Sequence, residues 1–370
     1  MARSSTTYAP KWHSGKTKVL RVPEALAEEV LAYAHDLDKK RGKVSETGAM
    51  YSLERQEIGK PLDARKPVNV SRVPQRSPFR YPGGKTWLVP YLRSWLKYLN
   101  PKPDLFIEPF AGGGIASLTT AFEHLAQHVI LAETDEGVSA VWKTILNGQG
   151  EWLAERIIEF DLTVDNVKEA LEQEDSGDKI SLKKRAFLTI LRNRVQRGGI
   201  MAPGAGLVKS GENNKGISSR WYPETLARRI REIGMNIHRL SFFQGDGFEL
   251  LDEYAADERA AFYIDPPYTK AARRLYREWQ IDHHLLFEKA ASIAGHFLMS
   301  YDNAEDVRSL ADEFGFEYRP IRMKNTHHAE MTELLIGKDL RWFDLNSVKN
   351  IQASRAKRAQ KKKDLLACRQ

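Results

Sequence analysis

A chain of 370 residues, 42% of them hydrophobic, is long enough for one large domain or two moderate ones with a sizeable core. Its single cysteine, Cys368, excludes a disulfide framework, so a reducing cytoplasm is the expected compartment. No apolar run approaches the roughly 18 residues of a membrane span, which argues against a membrane partner.

Charge is distributed unevenly around the net value of +8. Residues 1–76 carry 15 basic and 9 acidic side chains, and residues 349–370 carry 8 and 1. Residues 179–240 carry 14 and 3, whereas residues 77–348 as a whole are acidic. Basic charge concentrated in one internal segment and at both ends is typical of a nucleic-acid partner. Solvated helix faces are the plain alternative.

Residues 1–76 are predicted to form an N-terminal appendage and linker. A helix begins near Pro23, because proline suits a first helical turn and Glu24 lies near the positive helix end. Residues 18–22 are consistent with a short strand. This leaves open a strand-helix DNA-binding or dimerisation piece, with an amphipathic appendage as the alternative. Residues 42–77 lack periodicity and are rich in glycine, proline and charge, as linkers are.

Residues 77–348 are predicted to form a compact domain in which strands and helices alternate. Strands are expected at 104–108, 128–132, 240–246, 261–264 and 295–301, followed by an antiparallel pair at 316–321 and 333–336. This alternation predicts an α/β fold with a doubly wound, mainly parallel sheet. A mainly helical insert at about 151–240 interrupts it, and residues 349–370 form a basic tail.

A glycine-rich turn follows the first predicted strand. Gly112, Gly113 and Gly114 lack Cβ atoms, so a ligand can approach the backbone closely where the next helix begins. Glu133 lies about 20 residues later, at the end of the next strand, where an acid can accept hydrogen bonds from both ribose hydroxyls. Asp135 is a less well placed candidate. Together these residues favour a nucleoside ligand over a purely structural turn.

The stretch from Phe262 to Tyr268 joins a buried strand to a rigid turn of two prolines. Asp265 and the carbonyl of Pro266 could bind both hydrogens of an exocyclic amine, leaving its nitrogen with a usable lone pair. Tyr268 could stack on the base, once the base has left its duplex. A strand-terminating turn would explain the prolines but not the acid and the tyrosine.

The basic segment supplies candidate DNA contacts, because cationic side chains with interleaved aromatic ones suit phosphates, base edges and the gap left by a flipped base. The candidates are Arg192, Arg194, Arg197, Lys209, Lys215, Arg220, Trp221 and Tyr222. Residues 198–216 are predicted to be hairpin-like. The alternative for Arg192 and Arg194 is a pair of helix-surface charges.

Two histidine pairs, at 283–284 and 327–328, invite interpretation as metal ligands. Neither pair has further ligands at the spacing that metal sites use, and no metal is expected.

Three motifs carry a family resemblance. Pro82-Gly83-Gly84-Lys85, then Phe110-Ala111-Gly112-Gly113-Gly114, then Asp265-Pro266-Pro267-Tyr268 resemble, in this order, the Dam-type DNA adenine-N6 methyltransferases. The resemblance covers roughly residues 77–340. It implies a Rossmann-like methyltransferase sheet, S-adenosylmethionine as methyl donor, and DNA, expected to be double-stranded, as partner. It also places the target-recognition region between the two halves of the sheet, where the basic segment lies.

The resemblance also implies roles for individual residues. Tyr81 and Lys85 would contact the amino-acid end of the donor, and Asp265 would lie close to the donor's amine. The rest of the donor pocket would comprise Phe110, Gly112, Gly114, Glu133 at the ribose and Asp246 near the adenine. Asp265, Pro266 and Tyr268 would act at the target base.

The sequence departs from the family pattern in three places. Tyr81 stands where tryptophan is common, Glu133 replaces the more usual aspartate, and residues 193–199 match only loosely. The target sequence therefore does not transfer, and a restriction partner and the oligomeric state stay open. The leading hypothesis is a DNA adenine-N6 methyltransferase in the cytoplasm of a bacterial or phage-infected cell. The alternatives are another amine acceptor (cytosine N4, an RNA base or a protein amide) or an inactive DNA-binding relative.

Overall fold

A computed structural model describes residues 66–80, 84–175, 180–199, 206–267, 281–324 and 330–345. By its contacts the chain divides into Met1–Lys60 and Pro61–Gln370, and every described residue belongs to the second unit. The predicted strand-helix piece near the N-terminus and the basic tail at 349–370 lie outside the described residues.

Helices and strands alternate through most of the chain. The helices are α1 Val89–Tyr98, α2 Ile115–Phe122, α3 Glu136–Thr144, α4 Gly150–Glu159, α5 Val164–Asp175, α6 Leu182–Val195, α7 Pro223–Gly234, α8 Gly247–Glu253, α9 His283–Ser292 and α10 Glu305–Glu313. The strands are β1 Leu105–Glu108, β2 His128–Glu133, β3 Leu240–Gln244, β4 Ala260–Ile264, β5 His296–Asp302, β6 Glu317–Lys324 and β7 Glu330–Gly337. None of the described helices combines the length and apolar character that a bilayer crossing requires.

In the described part of the chain the seven strands form one sheet in the order β3-β2-β1-β4-β5-β7-β6. The first five strands are parallel, and β7 runs antiparallel to both β5 and β6. The predicted α/β fold with a doubly wound sheet and a closing antiparallel pair is therefore confirmed. Strand order reverses between β1 and β4, and in such sheets a crevice opens beyond the carboxyl ends of these two strands.

The sheet is covered on both faces, and its central strand β4 is apolar throughout. All five residues of β4 are buried. Neighbouring residues point to opposite faces, so Phe106 packs into one apolar layer with Tyr263, while Ile107 packs into the other with Phe262. This two-sided packing fixes where the ends of β1 and β4 lie, and with them the crevice.

The segment between α3 and β3 is mainly helical, as predicted. Helix α6 packs against α3 and α4 packs against α7, which ties the insert to the sheet-covering helices. The helical stretch that runs from α3 to α4 is interrupted at Gly148, where φ is +78°. The stretch predicted as a hairpin, 198–216, consists of short turns in its described part. One isolated antiparallel bridge joins its Leu207 to Gln196, which precedes the stretch.

Candidate active site

The glycine-rich turn lies at the carboxyl end of β1, beside the crevice. Gly112 and Gly114 have φ values of +47° and +61°, which side chains with a Cβ rarely adopt. A Cβ at Gly114 would lie 2.8 Å from the Trp142 ring. Trp142 also donates from Nε1 to the Gly112 carbonyl over 3.0 Å. The turn is thus packed against the Trp142 ring, and its backbone conformation requires glycine.

Glu108 ends β1 as a buried carboxyl group directly before this turn. Its Oε2 accepts the backbone N–H of Ser117 over 2.8 Å, so it ties the strand end to the first turns of α2. Burial and, to a smaller extent, the negative charge of Asp265 raise the pKa of Glu108 to about 8, against the hydrogen bonds from Ser117. Near neutral pH Glu108 is therefore mostly protonated.

Glu133 ends β2 next to the turn. Its Oε1 accepts the backbone N–H groups of Thr134 and Asp135 over 2.9 and 3.0 Å. Burial raises its pKa to about 7, although these hydrogen bonds favour the ionised form. The neighbouring Asp135 instead caps α3 by accepting the N–H of Val138 over 2.9 Å. Asp135 is thus engaged as a helix cap, which leaves Glu133 as the better ribose candidate.

Phe110 and Asp246 lie where the turns after β1 and β3 meet. Gly247 packs so closely on the Pro109 carbonyl that a Cβ would collide with it. The rings of Phe110 and Phe248 meet edge to face with centroids 6.0 Å apart. Asp246 is exposed and caps α8 by accepting the N–H of Phe248 over 3.0 Å. The two turns therefore form one apolar rim beside an exposed acid.

Asp265 lies at the carboxyl end of β4, across the crevice from the glycine-rich turn. Ser300 on β5 donates from Oγ to its Oδ1 over 2.8 Å. The Ser300 hydroxyl also lies 2.7 Å from the hydroxyl of buried Tyr263. The Asp265 side chain is 19% exposed, so it is fixed from the sheet side and still accessible from the crevice.

Lys85 pairs with two carboxylates. Its Nζ lies 3.2 Å from Asp265 Oδ1 and 3.2 Å from Glu333 Oε2, and its side chain is only 4% exposed. Burial opposes its positive charge, but Asp265 and Glu333 outweigh that effect and raise the pKa of Lys85 above its usual range. With both carboxylates ionised, this buried cluster carries one net negative charge.

Three polar residues of this crevice were not identified from the sequence. Ser300 lies among the apolar residues of β5, Glu333 directly precedes the apolar residues of β7, and Glu108 ends β1. A buried ionisable residue within an apolar strand needs a partner, so Glu333 in Glu333-Leu334-Leu335-Ile336 was the one detectable signal. Two predicted site residues, Tyr81 and Tyr268, lie outside the described residues.

The predicted DNA contacts divide into two groups. Arg197, Lys209, Lys215 and Tyr222 are exposed, and Arg220 is partly exposed. Arg192, Arg194 and Trp221 are instead buried. The Arg194 guanidinium donates to the Pro78 carbonyl, and the Trp221 ring packs against Phe160. The prediction of direct DNA contact is wrong for these three residues, because their side chains are buried inside the protein.

Asn193 connects the insert to the segment that leads to Lys85. Its Oδ1 accepts the N–H of Arg80 over 2.8 Å, and its Nδ2 donates to the Arg80 carbonyl over 3.0 Å. The same amide donates to the Gly199 carbonyl over 3.1 Å. One buried side chain therefore fixes the Arg80 backbone in the way that a neighbouring strand would.

The histidines of α9 have partners of their own. His283 Nδ1 lies 3.0 Å from the Tyr301 hydroxyl, and His284 Nε2 lies 3.1 Å from Glu313 Oε1. Within the described ranges no three His, Cys, Asp or Glu side chains form a group that could hold a metal ion. His327 and His328 lie outside those ranges.

Comparisons with known proteins identify one family and several solved structures of low sequence identity. No curated protein matches the sequence. The rRNA methyltransferase aviRa from Streptomyces viridochromogenes is 14% identical, with a TM-score of 0.34 over 75% of this chain and 96% of that one. The tRNA methyltransferase TrmK from B. subtilis is 10% identical, with a TM-score of 0.29 over 66% of this chain and 64% of that one. At such TM-scores neither structure informs the function of this chain.

The family comparison is more extensive, since the sequence model of one family matches residues 81–325, more than half of the 370 residues. The match spans the Lys85 segment, the glycine-rich turn and Asp265, the three places that meet at the crevice. The chain therefore belongs to the D12 class N6 adenine-specific DNA methyltransferase family.

Proposed function

We propose that the target adenine is turned out of double-stranded DNA into the crevice between β1 and β4. There Asp265 and the Pro266 carbonyl bind its exocyclic amine. The family makes this chain an enzyme that uses S-adenosylmethionine to methylate N6 of adenine in DNA. The observation that supports the proposed site best is the Asp265 carboxylate, held at the switch point of the sheet by Ser300 and Lys85.

The amine of adenine is a poor nucleophile because its lone pair is delocalised into the ring. Two acceptors that bind both amine hydrogens favour a more pyramidal nitrogen, whose lone pair can attack a methyl group. Asp265 supplies a carboxylate, and Pro266 supplies a carbonyl without a backbone N–H that would repel the amine hydrogens. The nitrogen loses one proton when it gains the methyl group, and the Asp265 carboxylate is the nearest proposed acceptor.

The crevice fits the donor in two respects. The glycine-rich turn offers backbone without Cβ atoms at the carboxyl end of β1, where Gly112 and Gly114 have positive φ values. The buried Lys85–Asp265–Glu333 cluster is negative overall, which favours a cationic ligand. When bound, S-adenosylmethionine supplies an electrophilic methyl group on a positively charged sulfur.

The residues proposed to hold the donor surround this space. Glu133 would accept hydrogen bonds from the ribose hydroxyls, and Lys85 would face the amino-acid end. The remaining contacts would come from Phe110, Gly112, Gly114 and Asp246, with Tyr81 as a candidate outside the described residues.

We predict that donor binding strengthens with pH through the ionisation of Glu133. Its pKa is raised to about 7, so the carboxyl is largely protonated near pH 6 and largely ionised near pH 8. Only the ionised group accepts from both hydroxyls, so donor affinity should be about tenfold lower near pH 6 than near pH 8. Isothermal titration calorimetry at several pH values measures this difference.

Glu133→Gln should bind the donor more weakly and with little pH dependence. The exposed Glu136 lies nearby and pairs with Arg185, so Glu136→Gln serves as the matched control and should keep the pH dependence of the natural protein. An unchanged pH profile in Glu133→Gln would remove Glu133 from the ribose site.

The proposed DNA face comprises the exposed residues Arg197, Lys209, Lys215 and Tyr222, with Arg220 beside them. We assign the insert at about 151–240 to target recognition and residues 77–348 to catalysis. The basic ends, 1–76 and 349–370, are assigned to additional contacts with DNA phosphates. A DNA substrate and the single cysteine support action in the cytoplasm, with or without a restriction partner.

The test of this function identifies both the product and the base movement. Purified protein, labelled donor and unmethylated duplex DNA should yield N6-methyladenine by mass spectrometry, and single-molecule sequencing should map its sites. Placing 2-aminopurine at the mapped adenine should increase fluorescence on binding, as expected when the base leaves the stack. N4-methylcytosine as product, or unchanged fluorescence with normal methylation, would contradict the proposal.

A further inference from the structure

A cationic pocket lies outside the crevice, on the insert. It has a volume of about 450 Å³, within the range of small-ligand sites. Four of its lining residues are basic, namely Arg80, Arg197, Lys209 and Arg220. Glu212 is the single acid among its described lining residues, and it forms an ion pair with Arg220. The lining therefore carries a net charge of +3.

The walls of this pocket are built by backbone hydrogen bonds. The segment after α6 pairs with the next described turn, through Arg197 N to the Gly206 carbonyl over 3.0 Å and Val208 N to the Val195 carbonyl over 2.8 Å. Gly211 has φ of +64° and packs directly on Ser219. On the opposite wall, Asn193 holds the Arg80 backbone. Three separate segments thus bring their cations together at this pocket.

A second layer of positive charge lies behind the pocket. Buried Arg194 donates to the Pro78 carbonyl, and Arg229 donates to the Ser77 carbonyl over 3.0 Å. Burial, together with the positive charges of Arg229, Arg80 and Arg220, lowers the pKa of Arg194 to about 9. Burial and the repulsion of Arg220 likewise lower the pKa of Arg80. Cations in this arrangement repel one another, and an anion in the pocket would relieve that repulsion.

We infer that this pocket binds a phosphate group, and specifically one phosphodiester of the DNA backbone. Guanidinium groups match phosphate oxygens in geometry and charge. The inference deepens the proposed function, on which it rests, because it names one DNA contact of the same enzyme. The ion pair of Glu212 with Arg220 occupies part of the pocket with a carboxylate, which a bound phosphate would displace.

The pocket is also connected, through Arg80, to the segment that carries Lys85. Arg80 contributes its side chain to the pocket, and its backbone, fixed by Asn193, leads into the segment that carries Lys85. A phosphate held by Arg80 would therefore set the distance between the DNA backbone and the crevice. We assign the pocket a positioning role, in addition to its contribution to affinity.

The test compares two double variants that remove the same charge from the insert. Arg197→Gln/Lys209→Gln removes two exposed pocket cations. Arg228→Gln/Lys168→Gln removes two exposed cations on α7 and α5, outside the pocket lining. Affinity for a short duplex is measured as a function of salt. Arg197→Gln/Lys209→Gln (the pocket pair) should lower DNA affinity about tenfold. It should also reduce the slope of log affinity against log salt concentration by the equivalent of about one phosphate contact. Arg228→Gln/Lys168→Gln (the control pair) should change both quantities less.

Single neutral methylphosphonates placed along the duplex then identify the phosphate. At one position the natural protein should lose about tenfold in affinity, while the pocket pair loses nothing further. Glu212→Gln should act in the opposite direction and tighten DNA binding several-fold, because it removes the competing carboxylate. Two results would overturn the inference. One is an equal loss of DNA affinity in the two double variants. The other is that every methylphosphonate that weakens binding by the natural protein also weakens binding by the pocket pair.

A free phosphate ion is the other source of the same chemistry. Stabilisation of the natural protein by inorganic phosphate, with DNA affinity unaffected in the pocket pair, would also overturn the assignment to DNA. Methylation by the natural protein at saturating DNA is recorded in parallel. If the pocket pair changes DNA affinity no more than the control pair while the natural protein methylates adenine, the phosphate pocket alone is rejected. If the pocket pair weakens DNA binding as expected but the natural protein makes no N6-methyladenine, the proposed function is rejected.

Discussion

Asp265→Ala should reduce the rate of methyl transfer by about a thousandfold or more, while DNA binding changes little. The substitution removes the acceptor proposed to bind the adenine amine, and the Pro266 carbonyl alone leaves one amine hydrogen without a partner. The measurement is a single-turnover rate at saturating donor and DNA, together with duplex affinity. A rate within tenfold of the natural protein would exclude Asp265 as the group that acts on the amine.

Ser300→Ala provides the matched control for this experiment. It keeps the Asp265 carboxylate and removes the 2.8 Å hydrogen bond that orients it. The rate of methyl transfer should therefore fall by only about tenfold, because the carboxylate is still present but is less well oriented. A loss as large as that of Asp265→Ala would instead indicate that orientation, and not the carboxylate charge, carries most of the effect.

The sheet was predictable from the sequence because its strands are short apolar runs with breakers on both sides. The runs that became β1, β2, β4 and β5 have those boundaries in the structure to within one or two residues. Beyond these strands, β6 and β7 extend further than expected, to Glu317–Lys324 and Glu330–Gly337. Their added residues are largely polar, so apolar pattern alone could not reveal them.

The crevice was partly predictable, because parallel strands place their carboxyl ends at one edge. That rule brought the glycine-rich turn and Asp265 together from positions about 150 residues apart. Arg192 and Arg194 show the limit of the same reasoning. Both occur in a basic segment, yet residues 186–195 of the helix that carries them are buried, and Arg194 donates to the Pro78 carbonyl. Sequence charge does not reveal which face of a helix is covered.

Lys85→Met should destabilise the protein by about 3–5 kcal/mol near neutral pH, because it leaves the carboxylates of Asp265 and Glu333 buried without their shared cation. Chemical denaturation measures the change. Lys289 pairs with Asp252 at the surface and provides the control. Its replacement by methionine should cost less than about 1 kcal/mol, since solvent screens an exposed pair.

The pH dependence of this loss distinguishes charge from packing. In the natural protein the pKa of Lys85 is raised above 10.5. Its stabilising contribution is therefore fully present below that value and is lost only at strongly alkaline pH. In Lys85→Met the two carboxylates repel each other, so the folded protein takes up a proton more readily than the unfolded chain. The variant should therefore regain stability as pH falls.

Removing the Glu333 carboxylate from Lys85→Met should increase its stability, as lowering the pH does. Lys85→Met/Glu333→Gln removes one of the two carboxylates that lose Lys85, and it should recover a large part of the loss near neutral pH, with little further gain at lower pH. A loss that is independent of pH and unchanged in the double variant would mean that Lys85 contributes by packing. A recovery would identify Glu333 as the residue that sets the negative charge of the crevice, and so its fit to a cationic donor.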